Sequence, residues 1–271
     1  MPIFESFDDE NVNQLNPKST VKTYDFTEKK SKGAFLTRVF GVMFICLLIT
    51  TAVAAGFGYG FQHYLVSTAT IIEGEMVFSE TALTTLFTVL GISFVALLAM
   101  SFVLPITFAR GKRNILIPLI IYVVLMGVML STFTFVFEWY LLVEAFGVTT
   151  LAFGVMALLG YVSKGRLTGI GAILSSLLIG ALLLSGINFI IFLFGGMSEG
   201  TLMLSLGVSL MIFAFLMLVT MYDVWRIKQI AESGAGHDNN LVLYCAYILY
   251  SDFIAILIRV IYYLAIIRRR N

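Results

Sequence analysis

Charged side chains are scarce in this sequence of 271 residues. Asp, Glu, Lys and Arg make up 12% of the chain, whereas apolar residue types make up 59%. A water-soluble globule needs a polar surface, and so few charges cannot supply one. The scarcity excludes a soluble single domain and predicts a protein whose main partner is the lipid bilayer. No nucleic acid is expected as a partner.

Cysteine and histidine are also rare, with two of each. Cys46 and Cys245 lie far apart inside apolar runs and lack the spacing of metal ligands. His63 and His237 are predicted from the sequence to lie in loops, and neither has a recognisable partner there. We therefore expect the cysteines to be small packing residues and the protein to hold no cofactor.

The first 33 residues hold too few large apolar side chains for a core. This composition predicts a disordered cytoplasmic tail over 1–33 and one membrane domain over 34–271. A secretory signal would place its apolar stretch within roughly the first 15 to 30 residues. The first hydrophobic segment is therefore expected to be a retained helix.

Long apolar runs follow the tail, and each exceeds the roughly 20 residues that a membrane-crossing helix needs. They are Phe35 to Phe61, Ala82 to Ala109, Ile115 to Phe137, Tyr140 to Val162, Leu167 to Phe194, Leu202 to Tyr222 and Leu241 to Ile267. The connections between them alternate between basic and acidic, which places the N-terminus in the cytoplasm by the positive-inside rule. The closing Arg268 to Arg270 would then lie outside, against that rule. We nevertheless predict a full seventh crossing rather than a re-entrant segment, because the last run is long enough to span.

Ionisable residues within or beside these runs are candidates for function. They are Glu144, which opens the fourth run, Asp223, at the end of the sixth, and Asp252, well inside the seventh, with Arg259 two turns further along. A charge in the hydrocarbon costs about 2.5 to 3.5 kcal/mol on insertion scales, so each should have a partner or a function. For Glu144, a position at the membrane interface is an equally simple interpretation.

Asp223 and Asp252 lie on either side of a short polar link that contains Ser233, Gly234 and Gly236. The two helices should therefore run antiparallel as neighbours, with both carboxyl groups in the cytoplasmic half. Two carboxylates in a low-dielectric site cannot both ionise cheaply, so the pair can share one proton. When both ionise, they form a site for a hard cation such as calcium. The alternative is that each aspartate only bonds a nearby backbone group, tyrosine or arginine.

Three segments resemble the Bax inhibitor-1 family, also called the transmembrane Bax inhibitor motif family, in its bacterial branch. They are Glu144–Thr149 with Leu159–Tyr161, then Tyr222–Asp223 with Arg226–Ile227, and finally Leu243–Tyr244 to Asp252–Ile254. The similarity covers roughly Arg38 to Ile267. The two aspartate segments, in the family's order and spacing, are its most specific part.

The resemblance implies an all-α integral membrane fold of seven transmembrane helices, six packed around a central C-terminal seventh. It also implies a calcium leak channel that closes when the Asp223–Asp252 pair holds a proton and opens when that proton is lost. A family arginine at the end of the second helix contacts the last-helix aspartate and would be Arg110 here, although Lys112 and Arg113 are close by. Arg259 departs from the family pattern, and it could pair with Asp252.

Two other functions remain open. The first is a regulator without a pore that binds another membrane protein, such as a quality-control protease. The second is an intramembrane aspartyl protease, which also places aspartates on adjacent helices. The Gly-x-Gly-Asp motif of those proteases is replaced here by Leu249–Asp252, so we do not expect an enzyme. The expected location is the bacterial inner membrane.

Overall fold

The fold is built from long apolar helices. The computed structural model describes residues 29–72, 75–111, 114–163, 199–232 and 239–270, together with scattered helical positions between 173 and 191. The helices are α1 (Lys29–Ser67), α2 (Glu80–Ala109), α3 (Leu116–Val136), α4 (Trp139–Val162), α5 (Glu199–Glu232) and α6 (Asn239–Arg270). Six described helices are long and apolar enough to cross a membrane, so the protein is a multi-pass membrane protein.

Two predicted segments fall largely outside the described residues. The fifth apolar run, Leu167 to Phe194, is described only at scattered positions, each of them helical. The predicted tail is described only from Lys29, where α1 begins. Helix α1 therefore starts before the boundary at residue 33 that the composition indicates.

A short β-hairpin joins α1 to α2 and was not predicted from the sequence. Strands β1 (Thr70–Ile72) and β2 (Glu75–Val77) pair antiparallel, with Thr70 opposite Val77. Strands of three residues are too short to give a recognisable alternating pattern. The all-α prediction therefore holds for the spans and misses this connection.

The last helix, α6, is the most buried element of the described bundle. In its most apolar stretch 56% of the residues are buried, compared with 11–28% in the other five helices. It contacts each of α1 to α5. Its fully buried side chains include Tyr250, Leu249 and Ile256. A helix that is covered on most sides has little contact with lipid, and this allows α6 to hold Asp252 inside its apolar run.

The two ends of the bundle can be distinguished by their connections. At the end that we name the basic end, the α2–α3 connection meets the start of α6, where the Ile115 backbone N–H donates to Asn240 Oδ1 at 3.4 Å. At the opposite end, which we name the acidic end, Arg268 near the end of α6 lies 3.7 Å from Glu138, in the α3–α4 connection. Helix α6 therefore runs from one end of the bundle to the other and does not turn back, as the length of its apolar run predicted.

Candidate functional site

Helices α5 and α6 bring Asp223 and Asp252 together. Asp223 lies about 14 Å from the basic end of α5, and Asp252 lies about 20 Å from the basic end of α6, at 1.5 Å per residue. Side chains tilt toward the N-terminus of their own helix. Because the two helices are antiparallel, Asp223 tilts toward the acidic end and Asp252 toward the basic end, which closes most of the difference in depth.

The two carboxyl groups lie within hydrogen-bonding reach of each other. Asp252 is buried, with 8% of its surface exposed, and Asp223 is half-buried. The Asp252 Oδ2 atom is buried and has no hydrogen-bond partner within the described ranges. A buried acceptor without a partner is costly, so this atom is suited to bind a proton or a cation.

A small cavity of about 30 Å³ adjoins Asp223 on its basic side. Its walls come from α5 and α6 and consist of Asp223, Arg226, Ile227, Ile230, Leu241, Tyr244, Cys245 and Ile248. This volume accommodates about two water molecules. The cavity could therefore hydrate the carboxyl pair, and it is too small for a peptide.

Helix α4 fixes the position of α5 next to Asp223. Gly160 lies so close to α5 that a Cβ atom there would collide with the carbonyl oxygen of Met221. About two turns further along α5, Lys228 Nζ donates to the carbonyl oxygens of Tyr161 at 2.8 Å and Ser163 at 3.3 Å. These bonds satisfy carbonyl groups that the end of α4 leaves unpaired. Asp223 is therefore held between two fixed contacts on its own helix.

On its other side, α6 is held by aromatic and hydroxyl contacts. The Tyr244 ring stacks on Phe108 of α2, with centroids 4.2 Å apart and planes within 3°. The Tyr250 hydroxyl lies 2.6 Å from Thr50 Oγ1 of α1, and Tyr250 is fully buried. Tyr244 and Tyr250 therefore pack α6 against α2 and α1.

Arg110, which was predicted to support the aspartate pair, does not contact it. Arg110 ends α2, its side chain is exposed, and it forms no ion pair with a described carboxylate. Lys112 and Arg113, the alternatives to it, lie outside the described residues.

Arg259 does not pair with Asp252. Its Nη1 atom donates to Ser209 Oγ of α5 at 3.3 Å. A separation of seven residues corresponds to about 10.5 Å along a helix, which is too far for the close contact of an intrahelical ion pair. The suggested pairing of Arg259 with Asp252 is therefore corrected.

Glu144 lies at the acidic end, away from the aspartate pair. Its Oε2 atom accepts a hydrogen bond from Arg268 Nη2 at 3.3 Å, and the Arg268 guanidinium also lies 5.0 Å from the centre of the Tyr140 ring. Arg268 is about 24 Å along α6 from Asp252. Glu144 therefore binds the end of α6, as its alternative position at the membrane interface suggests.

The cation that does lie beside the pair is Arg226, whose role was not predicted. It is one turn from Asp223, acts electrostatically on that carboxyl group and lines the same cavity. Residues three apart on a helix are neighbours, so the spacing of Asp223 and Arg226 contained the signal. Cys245 lines this cavity as well, and it is buried as its predicted packing role requires.

The acidic pair does not form a ready metal site with its described neighbours. Within the described ranges no group of three or more His, Cys, Asp or Glu side chains lies close enough to hold a metal ion. Calcium takes six to eight oxygen ligands. A cation at the pair would therefore need water or carbonyl oxygens in addition to Asp223 and Asp252.

Known proteins and a family model match this chain. The chain is 29% identical over 225 residues to the inner membrane protein YbhL of Escherichia coli K12, a match that covers 81% of this chain and 86% of YbhL. YbhL of Escherichia coli O6:H1 matches equally. A family model described as "Inhibitor of apoptosis-promoting Bax1" matches residues 32–270. The chain therefore belongs to the Bax inhibitor family.

Proposed function

We propose that this protein is a pH-sensitive cation leak, with calcium as its main ion, gated by the Asp223–Asp252 pair. The observation that carries the proposal is that the two carboxyl groups lie within hydrogen-bonding reach of each other between membrane-spanning helices. Such a pair has two states of different charge within a narrow space. It is therefore suited to convert the binding of one proton into a change in helix contact.

The electrostatics determine the direction of the response. With one proton shared, the pair carries a single charge and a hydrogen bond joins α5 to α6. Without that proton, two unit charges about 4 Å apart repel by roughly 4 kcal/mol at an effective dielectric constant of 20. Separation of the helices or binding of a cation relieves this repulsion. Flux should therefore increase as pH rises and the shared proton is lost.

The position of the cavity supports an ion rather than a peptide as the substrate. It is open to Asp223 and holds about two water molecules, which could solvate an incoming cation. Carboxylate oxygens are preferred ligands of calcium. A protease would need space for a peptide segment between the two aspartates.

We further propose that the fifth apolar run completes a bundle of seven helices, six of them around α6. The burial of α6 and its contacts with each of the other described helices support this arrangement. The name of the Escherichia coli relatives supports an inner-membrane location. The basic connection at Arg110 supports a cytoplasmic basic end and N-terminus.

The experiment measures calcium flux into proteoliposomes over a range of pH. The wild type should show flux that rises with pH. In Asp252→Asn, the amide imitates a carboxyl group that cannot lose its proton, so flux should stay at the closed level as pH rises. Asp223→Asn should behave in the same way.

Glu144→Gln is the matched control, because it removes an acidic charge at the opposite end of the bundle. This variant should keep the pH dependence of the wild type. If both asparagine variants follow the wild-type profile, the aspartate pair is not the gate.

A further inference from the structure

Arg259 places a positive charge in the α5–α6 interface, on the far side of the aspartate pair from the cavity. Its guanidinium donates to Ser209, which is buried. Ser209 lies about 21 Å from Asp223 along α5, toward the acidic end. Within the described part of the chain Arg259 forms no ion pair with a carboxylate. Its charge is therefore held by a neutral hydroxyl group and is not cancelled there.

The guanidinium lies on the same helix face as the gate. Asp252 and Arg259 are two turns apart on α6, and Tyr263, one turn further, has its ring 5.7 Å from Phe213 of α5. This face of α6 is therefore the one that contacts α5 both at the aspartate pair and nearer the acidic end. A cation that leaves the pair along this interface must pass the guanidinium.

We infer that Arg259 limits the rate of the leak, because its fixed positive charge slows cations on the acidic side of the gate and slows calcium, the proposed main ion, more than a monovalent cation. The inference rests on the proposed cation leak and deepens it. A fixed charge acts on an ion in proportion to the charge of that ion. The effect on calcium should therefore be about the square of the effect on potassium.

Coulomb's law gives the expected size of the effect. For an ion that passes about 10 Å from the guanidinium through a water-like path, the repulsion lowers local potassium about twofold and local calcium about fourfold. A less polar path increases both factors and keeps their square relation. Arg259→Gln should therefore raise potassium flux about twofold and calcium flux about fourfold at a pH where the gate is open.

The experiment uses the full chain in proteoliposomes, with calcium and potassium fluxes measured separately in matched preparations. Arg259→Lys is the control, because it keeps the charge while it replaces the guanidinium. This variant should retain wild-type fluxes of both ions. Thermal unfolding of each purified variant verifies that the compared proteins are folded.

The outcomes separate this inference from the proposed gate. Equal increases for the two ions, increases in both Arg259 variants, or no increase in Arg259→Gln would overturn the role of the charge. If the aspartate variants still alter the pH dependence in that case, the proposed gate stands without the inference. If the wild type conducts neither ion at any pH, the proposed function fails and the inference fails with it.

Discussion

Gly160→Ala tests whether contact between α4 and α5 positions the aspartate pair. A methyl group at residue 160 would collide with the backbone carbonyl of Met221 and would lie 3.1 Å from Val224 Cβ. A backbone carbonyl cannot rotate away as a side chain can, so the two helices would have to separate or tilt. Because Met221 is half a turn from Asp223, that movement would also displace the Asp223 carboxyl group.

The size of the effect follows from comparison with Gly154→Ala on the same helix, where no heavy atom of the described residues lies within 4 Å of the added methyl group. Replacement of a helical glycine by alanine gains about 0.5 to 1 kcal/mol in either variant. Overpacking costs about 1 to 3 kcal/mol and applies only at residue 160. Since the propensity gain cancels, Gly160→Ala should have the lower free energy of unfolding by about 1 to 3 kcal/mol.

The assay is reversible unfolding of the two purified variants in mixed micelles, followed by calcium flux against pH in liposomes. Gly160→Ala should also shift the pH at which flux is half-maximal, whereas Gly154→Ala should not. Equal free energies of unfolding in the two variants would refute the close contact between α4 and α5. Unequal stabilities with identical pH profiles would show that this contact does not set the position of Asp223.

Two further predictions concern the contacts that hold α5 and α6. Tyr250→Phe or Thr50→Val alone should lower the free energy of unfolding by about 1 kcal/mol, because each leaves one partner of their hydrogen bond unpaired. The double variant should regain part of the lost stability, because both partners are then apolar. Strictly additive losses would contradict the hydrogen bond between Thr50 and Tyr250. Lys228→Gln should lower the free energy of unfolding by about 1 kcal/mol, because it removes the charged hydrogen bonds to the carbonyl groups of Tyr161 and Ser163. Lys228→Arg should retain most of that stability, and an unchanged Lys228→Gln variant would show that these bonds do not matter.

The membrane spans were predictable because their signal is strong and local. An apolar run of about 20 residues has few alternatives in a bilayer, and the described helices match the predicted runs. Close glycine contacts were less predictable, because they depend on the rotation of each helix about its axis. Gly160 contacts a neighbouring backbone, whereas methyl groups added at Gly56, Gly60, Gly147 and Gly154 would meet no atom of the described residues within 4 Å.

The meeting of Asp223 and Asp252 could be predicted from the link between their helices, which fixes the antiparallel order and the approximate depth. The direction of side-chain tilt accounts for the remaining difference in depth and follows from helix geometry. The spacing of three residues was enough to place Arg226 beside Asp223. The cavity could not be predicted, because it depends on how α5 and α6 are rotated toward each other, and a single sequence contains no such information.

The charges on α6 show that two residues on the same face of a helix do not form an ion pair unless they are also close along the helix. Asp252 and Arg259 share a face, and a shared face was sufficient to suggest an ion pair. An ion pair within a helix, however, forms between residues three or four apart, and residues seven apart are separated by about 10.5 Å. The long arginine side chain instead bonds to α5 nearer the acidic end, while Arg268 binds Glu144 and Glu138. Because neither arginine neutralises the aspartates, Arg226 is the basic side chain beside the pair among the described residues, and the proposed gate would respond mainly to its shared proton.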